Sequence, residues 1–148
     1  MDELDQLIAR ADASEHTDPV TGIANRARAT LELERTVELA ERHRRPLSAV
    51  RIDVVMGASD AGGRDELLQS VARHLAVALR LPDLPARWTE NGFLILLPET
   101  VLAGARVVAA RLCATAELTG SAIGAASLER RRGEDAAAFA ERLDAAGD

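Results

Sequence analysis

The chain has 148 residues, 47% of them apolar, with one cysteine and 24 acidic against 18 basic side chains; this length bounds one domain with a short extension, large enough to bury a core without disulfides or structural metals. No apolar run approaches the roughly 18 to 20 residues of a membrane span, and the acidic start Met1-Asp2-Glu3-Leu4-Asp5 lacks the basic-then-apolar order of a secretory signal, so the cytoplasm is the expected compartment and no membrane partner is expected. The net charge of −6 disfavours nucleic acid as a partner, and the absence of lysine excludes Schiff-base and lysine-gripped phosphate chemistry while leaving arginine to hold a small anion.

Leu4, Leu7, Ile8 and Ala11 recur at helical spacing, which predicts an amphipathic helix over residues 1–14 ahead of a main domain over 15–148. Its stripe either packs on the body or pairs with a second copy in a homodimer. Turn formers then lead to Asn25, suited to cap a helix that runs to about Arg44 and is ended by Pro46. Leu47 to Val55 reads as a buried central strand, and Gly57, Gly62 and Gly63 as a loop. Asp65 and Glu66 open the next helix, whose stripe is Leu67, Leu68, Val71, Leu75, Ala78 and Leu79, with Arg80 in its last turn. Asn-Gly between the apolar arms Ala86–Trp88 and Phe93–Leu97 predicts a tight hairpin. A helix from Leu102 to Ala116 carries Cys113 as a buried spectator; a strand over Ser121–Ser127 and a helix over Asp135–Ala146 complete an α+β sheet with packed helices. His16, His43 and His74 lack zinc spacing and read as surface or capping residues, and Arg130 to Arg132 as a solvated run.

Asp18-Pro19-Val20-Thr21-Gly22-Ile23-Ala24-Asn25-Arg26 resembles the D-x-L-T-G-L-x-N-R signature of GGDEF domains, the catalytic domains of diguanylate cyclases, which condense two GTP molecules into cyclic di-GMP. Segments 65–72, 80–87, 93–98 and 121–124 follow in that family's order. The resemblance implies the cyclase-type sheet, with Thr89, Glu90, Asn91, Gly92 and Phe93 at the five positions of the G-G-D/E-E-F turn, where only Phe93 matches. Side chains at the two glycine positions should obstruct nucleotide, and neutral Asn91 replaces a magnesium carboxylate. Asp53 matches the family's other metal carboxylate and Asp65 a guanine contact, but Val55 stands where a second acid is usual, and the chain between Asp53 and Asp65 is short of the family's guanine-reading Asn. Two-metal phosphoryl transfer needs both ions held. The expectation from these positions is therefore a degenerate domain that is not an enzyme, without cofactor.

Arg80 and Asp83 match the R-x-x-D of the family's inhibitory product site, and Arg111 falls where a helical arginine joins it, implying a cyclic di-GMP receptor. Arg132 to Asp135 has the same spacing, so position alone favours the first; the plain alternative is that Arg80 caps a helix and Asp83 shapes the Pro82 turn. With no sensor or output domain read in the chain, its output is expected through an unidentified protein partner. Two alternatives stay open: a ligand-free interaction scaffold, and a residual GTP-binding module or weak cyclase using Asp53, Glu90 and magnesium.

Overall fold

The computed structural model describes residues 2–55, 63–118 and 122–147. Helices α1 (Glu3–His16) and α2 (Arg26–His43) precede strand β1 (Leu47–Val54). Then come α3 (Arg64–Ala78), the pair β2 (Leu84–Thr89) and β3 (Gly92–Pro98), α4 (Leu102–Leu118), β4 (Ile123–Glu129) and α5 (Ala136–Ala146). The four strands form one sheet in the order β2-β3-β1-β4, every pair antiparallel.

Strand alternation divides the core between the two faces of the sheet. Val50, Ile52 and Val54 of β1, with Phe93, Ile95 and Leu97 of β3, pack against Leu68, Val71 and Leu75 of α3 and Leu112 of α4. Leu47 and Ala49, with Leu94 and Leu96, pack against Leu33 and Val37 of α2 and Phe139 and Leu143 of α5. The result is the α+β sheet with packed helices that the patterning predicts. On α1 the apolar side chains Leu4, Leu7 and Ile8 remain exposed.

Local chemistry sets the element ends. Asn25 accepts from Arg28 N and Asp135 from Ala138 N, each filling an orphan amide of the helix it caps. Helix α2 stops at Arg44, which takes a left-handed conformation (φ 53°) and returns its N–H to Ala40 O, before Pro46 is reached. Helix α1 runs two residues past the predicted end at Ser14. Helix α3 ends at Ala78, so Arg80 lies beyond it in the turn to β2 rather than in a last helical turn. The hairpin forms, but its two turn residues are Glu90 and Asn91, with Thr89 paired to Gly92. Neither takes a positive φ, so Gly92 opens β3 rather than completing a mirror-image turn. The predicted loop glycines Gly57 and Gly62, and the strand start at Ser121, lie outside the described residues; β4 itself runs on to Glu129.

Candidate functional site

The Asp18–Arg26 segment is a set of backbone locks. Asp18, buried, accepts from Thr21 N (3.0 Å) and Thr21 Oγ1 (2.6 Å), and Gly22 supplies the left-handed turn (φ 77°) that returns its N–H to Asp18 O. Arg87 of β2 donates to the same Asp18 carboxylate at 3.1 Å. Arg26, at the start of α2, lies over the Trp88 ring at 3.9 Å and donates to Trp88 O. The signature therefore fastens the start of the domain to β2, directly ahead of the hairpin.

At the hairpin, Asp53 pairs across the sheet with Gly92 on one side and Gly124 on the other, so no neighbouring side chain covers it from either strand. Its carboxylate, 37% exposed, accepts from Arg51 Nη2 at 3.0 Å. Arg51 is itself buried (7% exposed), with Nη1 donating to Leu143 O and Asp144 O at the end of α5. A Cβ added at Gly92 would overlap Thr89 Oγ1 and stand 3.0 Å from both Asp53 Oδ1 and Ile52 O, which shows how closely the hairpin approaches Asp53. Asn91 Oδ1 is buried and accepts no hydrogen bond, while the main-chain O of Asn91 accepts from Val54 N at 2.9 Å.

Glu90 turns away from Asp53 and pairs with Arg64 of α3 at 2.8 Å; Arg87 also donates to Glu90 O. Asp65 sits exposed in the first turn of α3, and Phe93 is wholly buried in the core. Val55 is exposed at the end of β1. Among the described residues no three His, Cys, Asp or Glu side chains gather to hold a metal. Magnesium is commonly held by one or two carboxylates completed by substrate phosphates and water. Asp53 supplies one such carboxylate at the hairpin, enough for that minimal demand for one ion and not for two.

At the other end of the sheet Arg80 and Asp83 do meet. Asp83 Oδ2 accepts from Arg80 N at 3.2 Å and from Nε at 3.4 Å, and Arg80 Nη2 also donates to Thr100 Oγ1 at 3.2 Å. The Asp83 side chain is 2% exposed and the Arg80 side chain 65%, so the acid is the seat and the guanidinium faces outward. Arg80 borders a cavity of about 610 Å³ also lined by Arg35, His43, Arg45 and Glu99. Arg111 is exposed on α4, and among the described residues no hydrogen bond or ion pair joins it to Arg80 or Asp83.

Three residues depart from their expected surroundings. Arg130 is not solvated: its side chain is 5% exposed, donates to Glu41 at 2.7 Å, and ties the loop after β4 to α2. That bond, with Gly133 N and nearby Arg132, holds Glu41 below the ordinary carboxylate range. Glu134 is lowered likewise, first by its hydrogen bonds from Arg142. Cys113 is half-buried rather than buried. Arg51 was invisible to patterning, since a single arginine in an apolar run reads as an interruption; only the structure places it opposite Leu94 and Ala126, in the middle of a three-strand stretch.

The sequence model described as "Diguanylate cyclase, GGDEF domain" matches residues 15–146. The response regulator PleD of Caulobacter vibrioides is 36% identical over 101 residues, covering 65% of this chain and 22% of PleD. The diguanylate cyclase DgcP of Pseudomonas aeruginosa is 37% identical over 103 residues, covering 65% of this chain and 15% of DgcP. The chain thus spans under a quarter of the length of these curated relatives. Among solved structures, the coiled coil and GGDEF domain of DgcB from Caulobacter crescentus, in complex with c-di-GMP, superposes with a TM-score of 0.86 at 20% identity, over 96% of this chain and 83% of that one. Diguanylate cyclase SiaD, in complex with its activator SiaC from Pseudomonas aeruginosa, gives 0.80 at 28% identity over 97% and 60%. The expectation that the chain is not an enzyme is overturned by the matching family model and by DgcP and SiaD, which are named as diguanylate cyclases. That expectation drew on the side chains at Thr89 and Glu90, on neutral Asn91 and on Val55; in the structure the hairpin nonetheless closes and Asp53 lies beside it.

Proposed function

Since the chain belongs to the GGDEF domain family of diguanylate cyclases, we propose that it serves cyclic di-GMP signalling by binding the guanine dinucleotide at the Arg80 turn. The observation that carries this reading is the exposed guanidinium of Arg80, oriented by a carboxylate that is almost wholly buried, bordering a cavity with Arg35, His43 and Arg45 as well as apolar Leu39, Pro82 and Pro98. A fork held in place loses little freedom on pairing with guanine O6 and N7 or with phosphate. In this reading Asp83 positions Arg80 rather than touching the ligand, and Arg111 joins only by reaching across from α4. The ligand's effect passes to a protein partner, for which the exposed Leu4, Leu7 and Ile8 of α1 offer a face, whether to another protein or to a second copy.

The test is a calorimetric titration with cyclic di-GMP at physiological salt, with Arg80→Ala run beside the parent. Binding near or below the micromolar range that the variant loses supports the reading; no heat from a folded sample at two temperatures ends it. A second reading, favoured by the relatives named as cyclases and by the glycines on both sides of Asp53, is GTP binding at the hairpin. There Asp53 would hold one magnesium ion, which would neutralise phosphate charge. That reading predicts magnesium-dependent GTP binding abolished by Asp53→Ala and untouched by Arg80→Ala.

A further inference from the structure

Two arginine-rich stretches far apart in sequence, Arg42-His43-Arg44-Arg45 and Arg130-Arg131-Arg132, come together at the end of α2. Arg130 N donates to Leu47 O at 2.8 Å, and Glu41 accepts from both Arg130 Nη2 and Gly133 N, which fixes the second stretch against the first. Between them lies a cavity of about 560 Å³ lined by Arg42, Arg44, Arg45, Arg130 and Arg132 with two glutamates. Both glutamates are engaged: Glu41 as described, and Glu129 by Leu102 N at 2.6 Å. Among the described residues the guanidinium groups of Arg44, Arg131 and Arg132 make no direct ion pair, although Arg132 lies near Glu41 and Arg131 near Glu134.

Helix-dipole complementarity explains cations at the end of α2. It does not explain why a second basic loop is fastened onto the same spot, where like charges repel, in a chain of net charge −6. Backbone strain marks the same place. Arg44 and Glu99 are the two non-glycine residues with left-handed φ among those described; Arg44 lines this cavity, and Glu99 is the partner of Arg45. Glycine would cap α2 at lower cost than Arg44 does, and such strain gathers at functional positions.

We propose that this cavity, which adjoins the Arg80 cavity at Arg45 but is lined by Arg44 and Arg132 rather than Arg80, is a binding site for the oligophosphate chain of a small anion. Arginine forks pair with phosphate oxygens two at a time, and about 560 Å³ is the size of a small-molecule site. Ala40 and Pro46 are its only apolar lining, too little for the apolar centre of a protein interface, so a compact ligand fits better than an acidic protein. Phosphate bears directly on Arg44 and Arg132, with Arg42 and Arg45 at the rim. The chain could come from a nucleoside polyphosphate or from free polyphosphate.

The experiment titrates the full chain with inorganic tripolyphosphate at physiological ionic strength, beside adenosine triphosphate and a hexaglutamate peptide. Arg131→Ser/Arg132→Ser should weaken tripolyphosphate roughly tenfold or more, and Arg44→Gly should weaken it while raising Tm, a combination that a capping role alone does not produce. Arg106→Ser, an exposed α4 arginine whose loss changes the net charge as Arg44→Gly does, should leave binding intact. Equal affinity for the two phosphate probes identifies the phosphate chain as sufficient, and tighter adenosine triphosphate a nucleoside source. The proposal is overturned if tripolyphosphate does not bind, if Arg106→Ser weakens it as much as the loop variants do, or if hexaglutamate alone binds and is lost in them.

Discussion

At the hairpin end of the sheet Asp18, Asp53 and Glu90 each have an arginine of their own, in Arg87, Arg51 and Arg64. At the far end Arg44, Arg131 and Arg132 make no direct ion pair among the described residues, and Arg80 is exposed beside its seat. The same residue type thus does two different jobs on one fold. Around the hairpin, guanidinium forks bind the protein to itself, and any anionic ligand or cation arriving there must compete with an internal pair. Around the α2–β1 turn the positive charge is left open, so a ligand meets groups already oriented and incompletely neutralised.

Four measurements break or sharpen this contrast. Arg51→Ala should have the largest effect, a loss of about 3 kcal/mol in urea unfolding, because it leaves Leu143 O and Asp144 O without a donor and Asp53 without its cation. A loss under about 1 kcal/mol would show that the hairpin end is not held by its pairs. Gly92→Ala should cost about 2 kcal/mol by overpacking, and Thr89→Gly in the same chain should recover part of that by removing the overlapped Oγ1. Additivity of the two changes would locate the strain elsewhere.

The third measurement is acid unfolding. Glu41 and Glu134 have folded pKa values below the unfolded 4.5, so their stabilisation is complete above that pH and is lost as pH falls through the lowered values. Arg142→Ala should flatten the Glu134 part of this arm by lowering stability at neutral pH, where the pair is formed, and much less in acid, where Glu134 is protonated in both proteins. Stability that rises on acidification would contradict the pairing. The smallest effect belongs to Arg45→Ala: its pair with Glu99 is exposed on both sides and should be worth less than about 0.5 kcal/mol, measured by Tm. A larger loss would mean that the far end, too, is held together by its charges.

Most of the fold was legible because its signals are local. Asn25 and Asp135 cap the helices they precede, the apolar stripe of α3 faces the core, and the hairpin lies between the arms that announced it. Of the candidate positions, residue type and spacing foretold the placement of the opening signature, the meeting of Arg80 with Asp83 and the nearness of Asp53 to the hairpin. It was not legible where an arginine is buried by distant elements. Arg51 is enclosed by the end of α5, more than ninety positions away in sequence, and Arg130 by α2, eighty-nine away. Nothing local distinguishes such a residue from a solvated one. Glu90 shows the converse: proximity to Asp53 in sequence register suggested a shared ion, but its side chain answers to Arg64 instead.

Trp88 is the single tryptophan of a chain without tyrosine. Its ring lies beneath the Arg26 guanidinium, and its Nε1 donates to Asp144 Oδ1 at 2.7 Å, on the helix that Arg51 also grips. The molecule therefore carries its own optical reporter, at the junction of α2, β2 and α5. Any event that loosens α5 or shifts the hairpin should move or quench one emission band, readable without a label, whereas an event confined to the α2–β1 turn should leave that band dark to it.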